Sequence, residues 1–131
     1  MNGAPHLEIY SDESVVAFLD RAPLVPGHTL VIPRRHIETL EDMPADLLAP
    51  FFGVVQRLSR AFAPALGAEG SLVAINTRIS QSVPHLHAHV VPRRKGDRLF
   101  SPSTGPMLWI RRGYKEGEAE EVAAKLRAAL V

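Results

Sequence analysis

The stretch Gln81-Ser82-Val83-Pro84-His85-Leu86-His87-Ala88-His89-Val90-Val91-Pro92-Arg93 carries three of the six histidines in the chain. Histidine alternates there with apolar residues at a period of two, the pattern of a strand with one buried face. The pattern predicts a strand over Val83–Val91, closed by Pro92. His85, His87 and His89 share one face of it, and Leu86, Ala88 and Val90 line the other. Successive imidazoles on one face of a strand stand about 6.6 Å apart. Three titratable rings in a row cost solvation and improve no core, so the row points to chemistry.

Two kinds of chemistry fit a row of imidazoles. They can ligate a metal, as His-x-His strands do in catalytic sites. Alternatively the central ring is a nucleophile, flanked by rings that orient it and bind an anion. A metal site wants a carboxylate or another imidazole close by, whereas the neighbours here are Gln81, Ser82, Arg93 and Arg94. Amide, hydroxyl and guanidinium donors suit phosphate oxygens.

Outward from this strand, His6–Tyr10 and Ser14–Leu19 read as short strands around the turn Ser11-Asp12-Glu13. The segment from Asp20 to Gly27 holds two prolines and a glycine and reads as a loop. His28–Ile32 follows as a strand stopped by Pro33. Met43–Phe62 is the clearest helix, with Leu47, Phe51, Val54, Val55, Leu58 and Phe62 on one stripe. Asp42 suits its cap, Pro44 its first turn, and Pro64 with Gly67 its end, while Pro50 predicts a kink or a late start. Ser71–Asn76 is a further strand. Residues 93–115 read as basic loop with a short strand at Met107–Ile110, and Glu116–Leu130 as a terminal helix. The sum is one α+β domain over residues 1–131, a mainly antiparallel sheet with one long helix and a C-terminal helix.

Composition narrows the function classes. The 131 residues are 46% hydrophobic, enough for an ordinary core. There is no cysteine, which excludes disulfides, thiolate metal sites and a cysteine nucleophile. No apolar run approaches the ~20 residues of a membrane span. Met1–Tyr10 has no basic region followed by an apolar stretch, so a cytoplasmic domain is expected. The net charge of +1 is uneven, since residues 78–115 carry eight basic residues against the single acid Asp97. A basic segment beside an acidic half suggests a local anion site rather than a nucleic-acid binder.

Two blocks of the chain resemble the histidine triad (HIT) family. One is the stretch quoted above, similar to the family signature His-φ-His-φ-His-φ-φ with φ apolar. The other is Phe18-Leu19-Asp20 followed by Pro26-Gly27-His28-Thr29-Leu30-Val31-Ile32-Pro33-Arg34-Arg35-His36-Ile37. The family places such a proline–glycine–histidine strand before its triad, with a helix between. The resemblance spans residues 14–95.

It implies a HIT-like fold, a homodimer joining two sheets, and a nucleotide hydrolase or nucleotidyl transferase. The substrates implied are adenosine-type nucleotides, dinucleoside polyphosphates or nucleoside phosphoramidates, cut at the α-phosphate through a covalent nucleotidyl-histidine. Carried over by position, His87 is the nucleophile and His89 a donor to a phosphate oxygen, while His28 and His85 complete the pocket. Gln81, Ser82 and Asn76 match positions facing the phosphate and leaving group, Asp20 the ribose-binding acid, and Phe18 part of the base pocket. In zinc-bearing relatives the counterparts of His36 and His85 are ligands together with two cysteines. With no cysteine in this chain, no metal or other cofactor is expected. The partner implied is a nucleotide, with neither nucleic acid nor membrane.

The chain departs from the familiar pattern at Thr77-Arg78-Ile79-Ser80-Gln81-Ser82, where many relatives carry a glycine just before the matching glutamine. Ser80 is conformationally more restricted than glycine. Arg78 is expected to meet the leaving group and to favour a polyphosphate over a neutral amine.

Overall fold

The computed structural model describes residues 7–99 and 113–130. Among these, β1 (Glu8–Ser11), β2 (Val15–Leu19), β3 (Thr29–Pro33), β4 (Gly70–Ile75) and β5 (Ala88–Arg93) form one sheet in the order β1-β2-β3-β5-β4. Every neighbouring pair is antiparallel. Helices α1 (Ala45–Leu66) and α2 (Glu118–Leu130) complete the α+β architecture.

The period of two decides which side of the sheet is covered. Val15, Ala17 and Leu19 of β2, Val31 of β3 and Ala88 and Val90 of β5 join one buried cluster with α1 and α2. Val16, Phe18, Leu30, Ile32 and His89 alternate with them and face the opposite side. Phe18 pairs with Leu30, and Leu30 with His89, so these three form a row across β2, β3 and β5.

Helix α1 buries Leu47, Phe51, Val54, Val55, Leu58, Ala61 and Phe62, the stripe read from the sequence with one residue added. It neither starts late nor stops at a proline. Pro50 and Pro64 both lie inside it. The carbonyl that Pro50 leaves without an intrahelical donor belongs to Asp46, and both residues are exposed, so water can serve it. Asp42 does not cap α1. The N-cap is Pro44 without a side-chain bond, and Asp42 instead accepts a hydrogen bond from Thr39 Oγ1 (2.8 Å) in a preceding 3-10 turn, Leu40–Asp42. Gly67 ends the helix at φ 69°, its N–H bonded to Ala63 O and that of Ala68 to Phe62 O.

The histidine strand is shorter than its pattern. β5 begins at Ala88, so His85 and His87 precede it. Pro84 has no N–H to give a ladder, and the N–H of Leu86 goes to Ile37 O (2.7 Å), in the segment leaving β3. Pro92 does not close the strand but sits in it. It lies beyond the last β3 partner, Thr29 opposite Val90, where β5 borders β4 alone.

The basic segment does structural work in its described part. Arg93 grips Asp97 with two hydrogen bonds (2.6 and 2.9 Å), and that pairing lowers the Asp97 carboxyl to about 2. The Arg94 guanidinium binds the carbonyls of Leu66 and Gly67 at the C-terminus of α1. Two cations of the expected anion site are therefore engaged. The strand expected at Met107–Ile110 lies outside the described residues.

Candidate active site

The turn before β3 brings the first histidine into place. Gly27 adopts φ 101°, and a Cβ there would stand 2.6 Å from Leu66 Cδ1 and 3.0 Å from Pro92 Cγ. His28 follows with 0% exposure, its N–H bonded to Val25 O. The N–H of Leu24 donates to His28 Nδ1 (3.0 Å). An amide N–H only donates, so Nδ1 is the acceptor and the ring proton sits on Nε2. That nitrogen lies 2.9 Å from His89 Nδ1 and donates to it. Neutral His89 then carries its own proton on Nε2. A main-chain amide has thereby set the tautomers of two buried rings.

The other histidines are oriented by carbonyls. His87 Nδ1 donates to His85 O (2.8 Å), which leaves Nε2 as the lone pair of a neutral ring. His85 Nε2 donates to Pro33 O (3.0 Å). Ring centroids run 5.2 Å from His28 to His89 and 5.1 Å from His89 to His87. The contiguous row is thus His28–His89–His87, with His89 5% and His87 8% exposed. His85 turns its ring toward Pro33 and His36, 5.5 Å away, instead of extending the row as its spacing suggests.

The remaining expected residues divide. Phe18 is buried in the row with Leu30 and His89. Asp20 Oδ1 accepts the N–H of Ala22 (3.0 Å), and its Oδ2 lies 3.8 Å from His28 Nε2. Asn76 is half-buried just past β4. Continuing the register beyond Ile75 opposite Ala88 sets it across from His87. Gln81 spends both ends of its amide on the loop, accepting from Arg78 N (2.8 Å) and donating to Glu38 O (2.6 Å). Ser82 beside it is exposed. Arg78 pairs with Glu41 at 2.6 Å, with Asp42 and Glu38 also acting on it, so its charge is already matched. Arg78 and Ser80 both sit at positive φ, 65° and 62°.

An open cleft of about 430 Å³ adjoins His85, with Val16, Ile32, Val83 and Pro84 as apolar walls and Arg34 and His36 as polar ones. Among the described residues no carboxylate lines it.

Two groups test whether a metal fits. Asp20, His28 and His89 offer ligand atoms within 4.8 Å of one another. Ligation through His28 Nε2 would require a proton on Nδ1, where the N–H of Leu24 already points. The pair His36 and His85 gains no third ligand among the described residues. The first group therefore does not suit a metal ion.

Sequence reasoning missed the Leu24 amide and the Pro33 carbonyl, which have no side-chain signature, and the apolar neighbour Leu30. Of these Leu30 alone had a signal, its place two residues after His28 and so on the same face.

Comparisons with known proteins address the chain as a whole. The HIT domain profile matches residues 2–96. An uncharacterised HIT-like protein of Mycobacterium tuberculosis is 39% identical over 129 residues, which are 97% of this chain and 85% of that protein. The crystal structure of a zinc-bound histidine triad family protein from Mycobacterium smegmatis superposes with a TM-score of 0.78 at 42% identity, over 97% of this chain and 85% of that one. A bis(5'-nucleosyl)-tetraphosphatase of Schizosaccharomyces pombe is 33% identical over 90 residues, 67% of this chain and 50% of that enzyme.

Proposed function

The chain belongs to the HIT family, which includes nucleotide hydrolases, and on that footing we propose that it cleaves adenosine-type nucleotides at the α-phosphate through a covalent intermediate on His87. The observation that carries this reading is the bond from His87 Nδ1 to His85 O, which presents Nε2 as a lone pair beside His89.

In the first step Nε2 of His87 forms a bond to phosphorus. The bond from phosphorus to the leaving group breaks, and the leaving group departs with its electron pair. The nucleotidyl-imidazolium keeps its Nδ1 proton, and the His85 carbonyl offsets the new positive charge. His89 donates its Nε2 proton in a hydrogen bond to a non-bridging oxygen, where charge builds. Water then attacks phosphorus and loses a proton to solvent, and the nitrogen–phosphorus bond returns its electrons to His87 as a neutral ring. Phe18 and Leu30 supply an apolar floor for the base, and Asp20 an acceptor for the ribose hydroxyls.

The cleft beside His85 offers Arg34 and His36 and, among the described residues, no carboxylate, a lining that suits an anionic leaving group better than a neutral amine. We therefore rank dinucleoside polyphosphates above phosphoramidates. The test is turnover of diadenosine tetraphosphate and adenosine phosphoramidate, with and without chelator, with mass spectrometry of the protein quenched in alkaline denaturant. Chelator-insensitive cleavage with an adenylyl group on the peptide holding His87 is expected. Binding without cleavage, or cleavage lost with chelator, would replace this reading by a binding protein or a metal enzyme.

A further inference from the structure

The HIT profile ends at residue 96, yet a residue from beyond it reaches the turn that holds His28. The N–H of Gly27 donates to the Tyr114 hydroxyl across 3.1 Å. Gly27 is buried, and a buried main-chain N–H requires an acceptor. The surrounding turn is bonded at each of its other polar groups named here. Gly27 O accepts from Thr29 Oγ1 (2.9 Å), His28 N–H reaches Val25 O (3.1 Å), and His28 O accepts the N–H of Asp20 (2.9 Å).

Tyr114 is itself held from both sides. Its ring packs on the core cluster. Behind it, Lys115 N–H binds Glu118 Oε1 (3.0 Å) and Glu118 N–H binds Lys115 O (3.0 Å), a reciprocal cap at the start of α2. Helix α2 is tied down in turn where Arg127 Nε donates to Glu8 O (2.8 Å) and Arg57 to Leu130 O (2.9 Å). Burial pushes the Tyr114 phenol up, against the opposing Gly27 bond, with Glu118 and Asp20 adding to the rise. The group therefore stays a neutral hydroxyl, able to accept from Gly27 throughout the neutral range.

We propose that Tyr114 is a positioning residue: by holding the Gly27 peptide it fixes His28 in the orientation that receives the Leu24 N–H, and so keeps the proton of His89 on Nε2. The inference rests on the catalytic reading above for its effect on rate, but its effect on the imidazole tautomers stands without it. Tyr114 touches no reacting atom. Its influence passes through Gly27, His28 and His89 in that order.

The experiment compares Tyr114→Phe with Arg127→Ala, which loosens α2 on β1 without touching the turn. Both proteins are followed by ¹⁵N spectroscopy of the histidine rings and by steady-state kinetics on diadenosine tetraphosphate. In the unaltered protein, His28 and His89 should show the Nε2–H tautomer. In Tyr114→Phe those two rings should move toward tautomer exchange, with kcat about tenfold lower and KM within twofold. Arg127→Ala should leave both unchanged. Unaltered ring signals in Tyr114→Phe, or an equal fall in kcat in Arg127→Ala at equal loss of stability, would overturn the assignment. Absent turnover in the unaltered protein would instead count against the catalytic reading, and the ring signals would still decide the role of Tyr114. If Tyr114→Phe is unstable at ordinary temperature, the same ring-signal comparison is made on it at low temperature, and protection of the Gly27 amide from hydrogen exchange in the unaltered protein, expected if Tyr114 holds it, gives a second reading.

Discussion

The amide of Leu24 and Nδ1 of His28 stand 3.0 Å apart, and this contact makes a histidine tautomer a property of the main chain. Two buried rings, His28 and His89, follow from it in sequence. Such an arrangement prepays the orientation of a donor before substrate arrives.

On the proposed mechanism, replacing His87 and replacing its support should therefore differ in size. His87→Asn should lower kcat by at least ~10³ while nucleotide still binds, and His28→Ala by ~10–10². Single-turnover kinetics and equilibrium binding of the nucleotide measure both. Near-normal turnover in the His87 variant would remove the covalent mechanism.

Gly27 tolerates no side chain. Its φ of 101° is a glycine conformation, and Pro92 on one side has a rigid ring. Gly27→Ala should destabilise the fold by roughly 2–4 kcal/mol and displace His28. Urea denaturation gives the first quantity and the His28 ring signals the second.

The ion pair of Arg93 and Asp97 makes part of the stability pH-dependent. Asp97 titrates at about 2 in the fold, below its ordinary 3.8, chiefly through its hydrogen bond from Arg93. A depressed carboxyl stabilises the fold above the unfolded value, and that contribution fades as pH falls from 3.8 toward 2. Asp97→Asn should cost on the order of 2 kcal/mol at pH 7 and little near pH 2. Denaturation midpoints across that range should converge. Curves that stay parallel would show that the cost does not come from the ionised pair.

Ser80 holds a backbone conformation that disfavours side chains, φ 62°. Ser80→Gly relieves about 1–2 kcal/mol of local cost and gives back part of it as unfolded-chain entropy. A net gain of roughly 0.5–1 kcal/mol is expected by thermal or urea denaturation. A loss would mean that the hydroxyl has a role of its own.

Arg78 is bound to Glu41, so the substrate preference should not depend on it. Arg78→Ala should change the ratio of kcat/KM for diadenosine tetraphosphate and adenosine phosphoramidate by less than twofold. A tenfold narrowing, worth about 1.4 kcal/mol, would restore the view that Arg78 meets the leaving group.

What the sequence revealed, and what it concealed, follows from the range of the interactions. The α1 stripe and the alternation around His89 were legible because periodicity is a local record of a buried face. The start of β5 was not, because it depends on the N–H of Leu86 finding Ile37, 49 positions earlier. The order of the rings was likewise hidden. Spacing puts His85 beside His87, but Pro33 O draws the His85 ring away, and His28 from another strand fills the row. Asp42 had the chemistry of a cap and was claimed by Thr39 instead. Tyr114 carried no pattern at all, since its partner is a main-chain amide 87 positions away.

The place of β5, between β3 and β4, bears on how the chain assembles its histidine row. β1, β2 and β3 form a meander of neighbours, and α1 needs only its own sequence and a surface to rest on. His28 and His89, however, are 61 positions apart, so they meet only when β5 enters beside β3 and closes the largest loop in the sheet. A refolding chain can thus regain most of its helix while His28 and His89 are still apart. Formation of the His28–His89 contact should therefore report the insertion of that one strand.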